Sequence, residues 1–249
     1  MSLTHALCHE LATRPPLNVG PIVFVVDDDI SVRESLELSI RCQGWQPEIF
    51  ASAQEFLIRA RALVPSCLVL DFSLPEFNGL ELQKRVAIER PEMPIIFITG
   101  YRDVPMTVQA MKAGAVEFLT KPFHDGVLLT AIRAALERSR VALGREAQMR
   151  VLQDRYASLS SRERQVMALV VSGLLNKQIG GELGISEITV KAHRGQVMQK
   201  MQANSLADLV KMAGRLGISK NRTTTIIRDH AGHASYSGGQ LTGSFAFAV

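Results

Sequence analysis

No apolar run in the chain approaches the roughly 18 residues that would span a bilayer, so no membrane helix is expected. The first twenty residues lack both a basic n-region and a continuous apolar core, which speaks against a secretory signal. Leu7-Cys8 alone is too little for a lipidation site. Cysteine is scarce too: Cys8, Cys42 and Cys67 are odd in number and scattered, with neither a disulfide framework nor a zinc spacing. Cys67 lies in a strand-like run, where a buried thiol is expected. Together these absences predict a soluble protein of a reducing cytoplasm. Internal repeats are also missing.

What is present divides in two. The 249 residues are 47% hydrophobic and 21% charged, as in ordinary globular proteins, with room for one large or two small domains. Residues 21–143 hold 13 Lys and Arg against 16 Asp and Glu, a net of −3. Residues 159–220 hold 9 against 4, a net of +5. An acidic first part and a basic second part imply that only the second meets a polyanion.

The first part alternates strand-like and helix-like segments. Apolar runs at Ile22–Val26, Cys67–Leu70 and Ile95–Ile98 predict strands, with shorter ones at Gln46–Phe50 and Glu117–Thr120. Pro47 marks the second of these as an edge strand. Helical spacing covers Ile30–Cys42, which Gly44 terminates, then Leu80–Ile88, Pro105–Ala113 and His124 to about Leu143. Ser52-Ala-Gln-Glu55 has the pattern of a capping box opening a further helix. Pro75 to Gly79 reads as a loop. Five strand–helix units predict an α/β fold with a five-stranded doubly wound parallel sheet.

Polar residues follow four of the strands: Asp27-Asp28-Asp29, Asp71, Thr99 and Lys121. Ligands bind at the carboxyl ends of the strands in such sheets. Carboxylates, a hydroxyl and an ammonium gathered there suit a hard divalent cation such as Mg²⁺ with a phosphoryl group beside it. Asp71 could then accept the phosphoryl group as a nucleophile, giving an acyl phosphate. Any one of these residues alone would more simply be an exposed loop residue, and Asp29 could merely cap the first helix.

The strings Phe24-Val-Val-Asp-Asp-Asp29, Leu70-Asp-Phe-Ser-Leu-Pro75 with Gly79, Ile98-Thr-Gly100 and Thr120-Lys-Pro-Phe123 resemble the receiver domain of two-component response regulators, which has a flavodoxin-like sheet. The stretch Asp103–Ala115 resembles the FixJ branch, with Leu74 where Met is commoner. The resemblance implies Asp71 as phosphoacceptor and an Mg²⁺ held by Asp28, Asp71 and the main-chain carbonyl of Ser73, with Asp27 assisting through water. It also implies Thr99 and Phe118 as the switch pair, Lys121 as the phosphate contact, and a cis peptide between Lys121 and Pro122.

Residues 144–158 are polar and helix-compatible, and 160–217 show no strand signal. Four helices are predicted: Ser161–Ser172, Lys177–Leu183, Glu187–Met201 and Leu206–Leu216. Ser160-Ser-Arg-Glu163 opens the first with a capping box. Gly184 supplies a tight turn and Ser186 an N-cap, giving a helix-turn-helix. On the helix after the turn, Val190, Val197 and Met201 share an inner face flanked by His193. Ile188, Lys191, Ala192, Gly195 and Gln199 share the outer one. A small, polar outer face with a cation can lie in a major groove. Lys177 and Arg194 are better placed for phosphates. A solvated helix in a plain bundle is the simpler alternative.

Leu159–Met167, Asn176-Lys-Gln-Ile179 and Thr189-Val-Lys-Ala-His193 resemble a LuxR-type helix-turn-helix. This implies DNA contacts from Lys177, Thr189, Lys191, Ala192, Arg194 and Gln199. Gly180 stands where Ala is usual, and each of Gly180 and Gly181 should cost its helix up to about 1 kcal/mol.

The expected organisation is a flexible extension over 1–20, a receiver domain over 21–140, a helical linker over 141–158, an all-α four-helix DNA-binding domain over 159–219 and a disordered tail over 220–249. A metal site at His230 and His233 of that tail has little support. The implied function is that of a NarL/FixJ-family regulator. A sensor histidine kinase phosphorylates it, it forms a homodimer through a face that includes Met106, Val108 and Met111, and it binds double-stranded promoter DNA. RNA polymerase is a further candidate partner. A phosphorylation-independent adaptor with a receiver fold is the rival reading, which the intact carboxylates disfavour. A metal-dependent phosphohydrolase is disfavoured because no second acid or base accompanies Asp71. The chain is therefore expected to be no enzyme, beyond slow loss of its own phosphoryl group.

Overall fold

In this computed structural model the described residues are 20–75, 79–100 and 104–218, with side chains described for all of these except 104–106. The sequence-predicted extension and tail, and most of the Pro75–Gly79 loop, lie outside them. The chain divides into two compact units between Gln148 and Met149. None of the described helices is long and apolar enough to cross a membrane.

The first unit is a parallel sheet of β1 (Ile22–Val26), β2 (Gln46–Phe50), β3 (Ser66–Asp71), β4 (Ile95–Thr99) and β5 (Glu117–Thr120), ordered β2-β1-β3-β4-β5. Pro47 does sit on an edge strand, β2, where its missing N–H leaves no gap in the interior of the sheet. The strands read as apolar runs because both faces of the sheet are covered. Successive side chains alternate between those faces. Phe24, Val26, Leu68, Leu70 and Phe97 enter one core with Phe56 and Leu82, while Val23, Val25, Val69, Ile96 and Ile98 enter the other with Ile40 and Ile132. Accordingly α2 (Ala53–Ile58), α3 (Gly79–Glu89) and α4 (Val104–Lys112) cover the first face, and α1 (Ile30–Cys42) and the first part of α5 (Asp125–Ala157) cover the second. Cys67 is fully buried, and burial pushes its thiol far above the ordinary value.

Local signals fall where expected, with one variation. Asp29 caps α1 by accepting from the Ser31 amide. Gly44 takes the left-handed φ of +76° that ends the α1 turn. At α2, Ser52 accepts from the Glu55 amide, but the Glu55 carboxylate reaches the Ala51 amide, one residue before the cap.

The second unit is a helical bundle: α6 (Ser161–Val171), α7 (Asn176–Leu183), α8 (Glu187–Met201) and α9 (Leu206–Arg215). The Ser160–Glu163 capping box is complete. The same Glu163 carboxylate accepts from Lys200 of α8 at 2.7 Å, and these hydrogen bonds hold its carboxyl below the ordinary range. Within residues 141–158, assigned by sequence to a linker, three side chains join the second core. Leu152 is 4% exposed in the second core, with Met149 and Tyr156 packed on it. Polar neighbours hide this i, i+3, i+7 stripe in the sequence. Arg164 donates to the carbonyls of Ala157 and Leu159 at the end of α5, and its guanidinium lies 5.6 Å from the Tyr156 ring centre.

The packing of Leu152 makes a prediction. Leu152→Ala should destabilise the second unit by about 2–5 kcal/mol, measured by urea unfolding of the full chain. Hydrogen exchange in β1 to β5 should stay unchanged; an unaltered unfolding midpoint would mean the residue is not core.

Candidate functional site

The register of the parallel strands assembles the first site. Val26 lies level with Phe50 and Leu70, Asp71 with Ile98, and Thr99 with Thr120. Residues at and just after these strand ends therefore share one edge of the sheet. In the order β2-β1-β3, the chain direction of winding reverses between β1 and β3, which is where such sheets bind ligands. Asp27 and Asp28 follow one of these strands and Asp71 ends the other.

Carboxylate oxygens of Asp27, Asp28 and Asp71 lie within 4.8 Å of one another. Asp27 is fully buried, Asp71 nearly so, and Asp28 is exposed. Lys121 bridges the two buried ones, its Nζ 2.8 Å from Asp27 Oδ2 and 2.6 Å from Asp71 Oδ2. The other Asp27 oxygen accepts from the Asp29 amide at 2.9 Å, and the other Asp71 oxygen accepts from the Ser73 amide at 2.8 Å. Thr99 is buried at the end of β4, and the Lys121 amide donates to its carbonyl. The Lys121–Pro122 peptide is cis.

Three carboxylates against one ammonium leave the site short of positive charge, and its electrostatics reflect this. Burial raises the Asp27 carboxyl above its ordinary value, and the charge of Asp71 adds to the rise. Hydrogen bonds from Lys121 and the Asp29 amide oppose it without cancelling it. Burial would lower the Lys121 ammonium, but its hydrogen bonds to Asp27 and Asp71 prevail and hold it above the ordinary value. A cluster of oxygen donors with surplus negative charge fits a hard divalent cation.

Phe118 is half-buried and packs against both Phe72 and Phe97, with ring centres 5.8 and 6.0 Å away. Two supporting residues act through contacts that the sequence does not display. Arg33 donates to the carbonyls of Asp27 and Asp28 at 2.7 and 2.8 Å, holding the acidic loop; its only trace is an Arg in the first turn after that loop. At Gly79 a Cβ would come 3.2 Å from the Phe72 carbonyl, so the helix start packs on the residue after Asp71.

A second candidate site lies on α8. Ser186 caps the helix, and Gly184 closes the preceding turn at φ +65°. Val190, Val197 and Met201 are buried, whereas Ile188, Lys191, Ala192, Gly195 and Gln199 are exposed, as the helical spacing predicts. His193 is half-buried at the core edge. Thr189 shares a hydrogen bond with the Ser186 hydroxyl. Lys191 pairs loosely with Glu187 at 3.3 Å; such an exposed pair is worth little and yields easily. Lys177 is exposed, while Arg194 is half-buried and gives one guanidinium hydrogen bond to Asn176, joining α8 to α7. That tie links two segments of the helix-turn-helix and was not legible in the sequence.

Known proteins resemble both parts. The sequence model of the response regulator receiver domain matches residues 23–133, and that of the bacterial regulatory proteins of the luxR family matches residues 157–213. Nodulation protein W of Bradyrhizobium diazoefficiens is 54% identical over 204 residues, covering 81% of this chain and 89% of that protein. Transcriptional regulatory protein FixJ of Rhizobium meliloti is 43% identical over 191 residues, covering 77% and 94%. The structure of the response regulator StyR aligns with a TM-score of 0.69 at 48% identity, over 79% of this chain and 99% of that one.

The glycine pair of α7 can be tested. A Cβ on Gly180 would sit 2.7 Å from the Ile185 carbonyl, whereas one on Gly181 meets open space. Gly181→Ala should therefore raise the unfolding free energy by up to about 1 kcal/mol. Gly180→Ala should instead lower it, because the Cβ would collide with the Ile185 backbone carbonyl and the turn must move. Equal gains in urea denaturation would show that the turn yields freely.

Proposed function

From the premise that the chain belongs to the NarL/FixJ family of response regulators, joining a receiver domain to a LuxR-type DNA-binding domain, we propose that Asp71 is its phosphoacceptor and that the outer face of α8 reads promoter DNA. A sensor histidine kinase is the donor. A carboxylate oxygen of Asp71 attacks the phosphorus of the phosphohistidine, the P–N bond breaks, and the histidine keeps the electron pair. The observation that carries this reading is the position of Asp71, whose Oδ2 lies 2.6 Å from the Lys121 ammonium inside the carboxylate cluster.

Mg²⁺ is the cation we assign, with Asp28, Asp71 and the Ser73 carbonyl as direct ligands and Asp27 acting through water. Bound there, it would neutralise charge on the phosphoryl oxygens. Lys121 is already within reach of Asp71 and would turn one N–H to the phosphoryl group. Thr99 would hydrogen-bond another of its oxygens, and Phe118 would repack as Thr99 moves. A phosphoryl group biases only states that it binds differently, so the response is a shift of populations. Asp27, Asp28 and Lys121, the titratable groups described beside Asp71, are committed to the metal and the phosphoryl group in this reading, which makes the chain an acceptor with at most slow loss of its own phosphoryl group rather than an enzyme.

The active form is proposed as a homodimer, which would set two recognition helices on a two-fold site. Val108 and Met111, 44% and 43% exposed on α4, support that surface; the third residue of the sequence reading, Met106, lies outside the described side chains. On DNA, Lys191, Ala192 and Gln199 would face base edges, with Thr189 beside them. Lys177 and Arg194 would hold phosphates, Arg194 through donors other than the one given to Asn176. The setting is the cytoplasm, where promoter DNA and RNA polymerase, a candidate partner, are found.

Asp71→Asn should abolish labelling by radioactive acetyl phosphate while circular dichroism stays native. Persistent labelling would refute the assignment. Lys191→Ala should weaken specific DNA binding by about 1–3 kcal/mol, the worth of one good base contact, and leave phosphorylation intact. Unchanged binding would mean that the recognition face is misplaced.

A further inference from the structure

A strongly exposed side chain of α8 is apolar. Ile188 is 79% exposed, the second residue of the helix. At 3.6 residues per turn it lies about 160° from the centre of the buried face of Val190, Val197 and Met201. Single exposed aliphatic residues are ordinary on protein surfaces, and Ile58 and Ile88 are comparable cases in the first unit. The setting of Ile188 is different. Ala192, Gly195 and Gln199 continue its line at i+4, i+7 and i+11, with Lys191 alongside, all exposed. Nothing larger than a methyl stands on this line for the two turns after Ile188, and a Cβ at Gly195 would meet open space.

We infer that Ile188 is a specificity residue that packs against the 5-methyl group of a thymine in the major groove. This rests on the reading of α8 as the DNA-recognition helix. Helices of this kind present their N-terminal residues to base edges. The small side chains of Ala192 and Gly195 let the helix sink into the groove, bringing Ile188 to its floor. Thymine alone places a methyl group there, beside its O4 acceptor. A branched aliphatic side chain has no hydrogen bond to offer a base. It selects by burying that methyl, which cytosine lacks. The local charge favours nucleic acid over a protein partner: residues 159–220 carry a net of +5, and Lys177 and Lys191 are exposed.

The test begins with the full-length protein, Mg²⁺ and acetyl phosphate, selecting from a random-sequence duplex library. Each thymine of the recovered site is then replaced by deoxyuridine, which removes only the methyl. At one thymine per half-site, wild type should lose about fourfold in affinity, the worth of one buried methyl. Ile188→Ala should bind more weakly and be indifferent to that replacement, and Ile188→Val should keep most of the discrimination. Since Ile188 supports no core, thermal unfolding of both variants should match wild type. Equal deoxyuridine losses in wild type and Ile188→Ala would overturn the proposal while leaving DNA binding in place. If no sequence is enriched, the DNA-reading role of α8 fails and the proposal with it. Loss of self-association in Ile188→Ala with thymine discrimination intact would instead assign the residue to contacts between copies.

Discussion

The Lys121 ammonium, held between Asp27 and Asp71, is the constraint on which the receiver site depends. Two carboxylates from neighbouring strands are buried side by side, a placement that their mutual repulsion and lost hydration both oppose. A cation just after β5 makes it tolerable, and it can do so only because the parallel register brings the ends of β1, β3 and β5 to one edge. The compensation is incomplete, with Asp28 adding a third carboxylate and Asp27 still raised above its ordinary value. The surplus negative charge that remains fits a hard divalent cation.

Supporting contacts keep this site in shape without taking part in its chemistry. Arg33 spends its donors on the carbonyls of Asp27 and Asp28, so it fixes the loop and leaves the carboxylates available. Gly79 lets α3 begin against the residue after Asp71. At the far edge of the sheet, Arg61 pairs with both Glu92 and Glu146, while Ser139 accepts from the Ser66 amide in the core. Those contacts fasten α5 to the first unit. In the second unit Glu163 has two tasks, capping α6 and pairing with Lys200, so one carboxylate orients α6 against α8.

Much of the fold was legible because each local rule agreed with the global one. Both faces of the sheet are covered, so its interior strands read as apolar runs. Gly44, Gly184, Ser160 and Ser186 mark helix ends by backbone and capping needs that a sequence displays directly. Where reading fell short, the choice lay outside the local pattern. Glu55 could close its box at Ser52 or reach Ala51, and in the folded chain it reaches Ala51. Met149, Leu152 and Tyr156 look like part of a polar linker because their exposed neighbours outnumber them. Arg194 resembles a simple phosphate ligand until Asn176, eighteen positions earlier, claims one of its donors.

The sequence by itself determined which elements form and in what order, since helical and strand periodicity, caps and turns are local properties. It also determined the chemistry available: carboxylates, a hydroxyl and an ammonium at strand ends, and a small-faced helix after a tight turn. Tertiary structure alone decided which charges meet. The 2.6 Å approach of Lys121 to Asp71, the burial of Asp27 beside it and the pairing of Arg194 with Asn176 join residues 18 to 94 positions apart. No local pattern encodes such distances; they follow from strand register and helix packing, which exist only once the chain has folded.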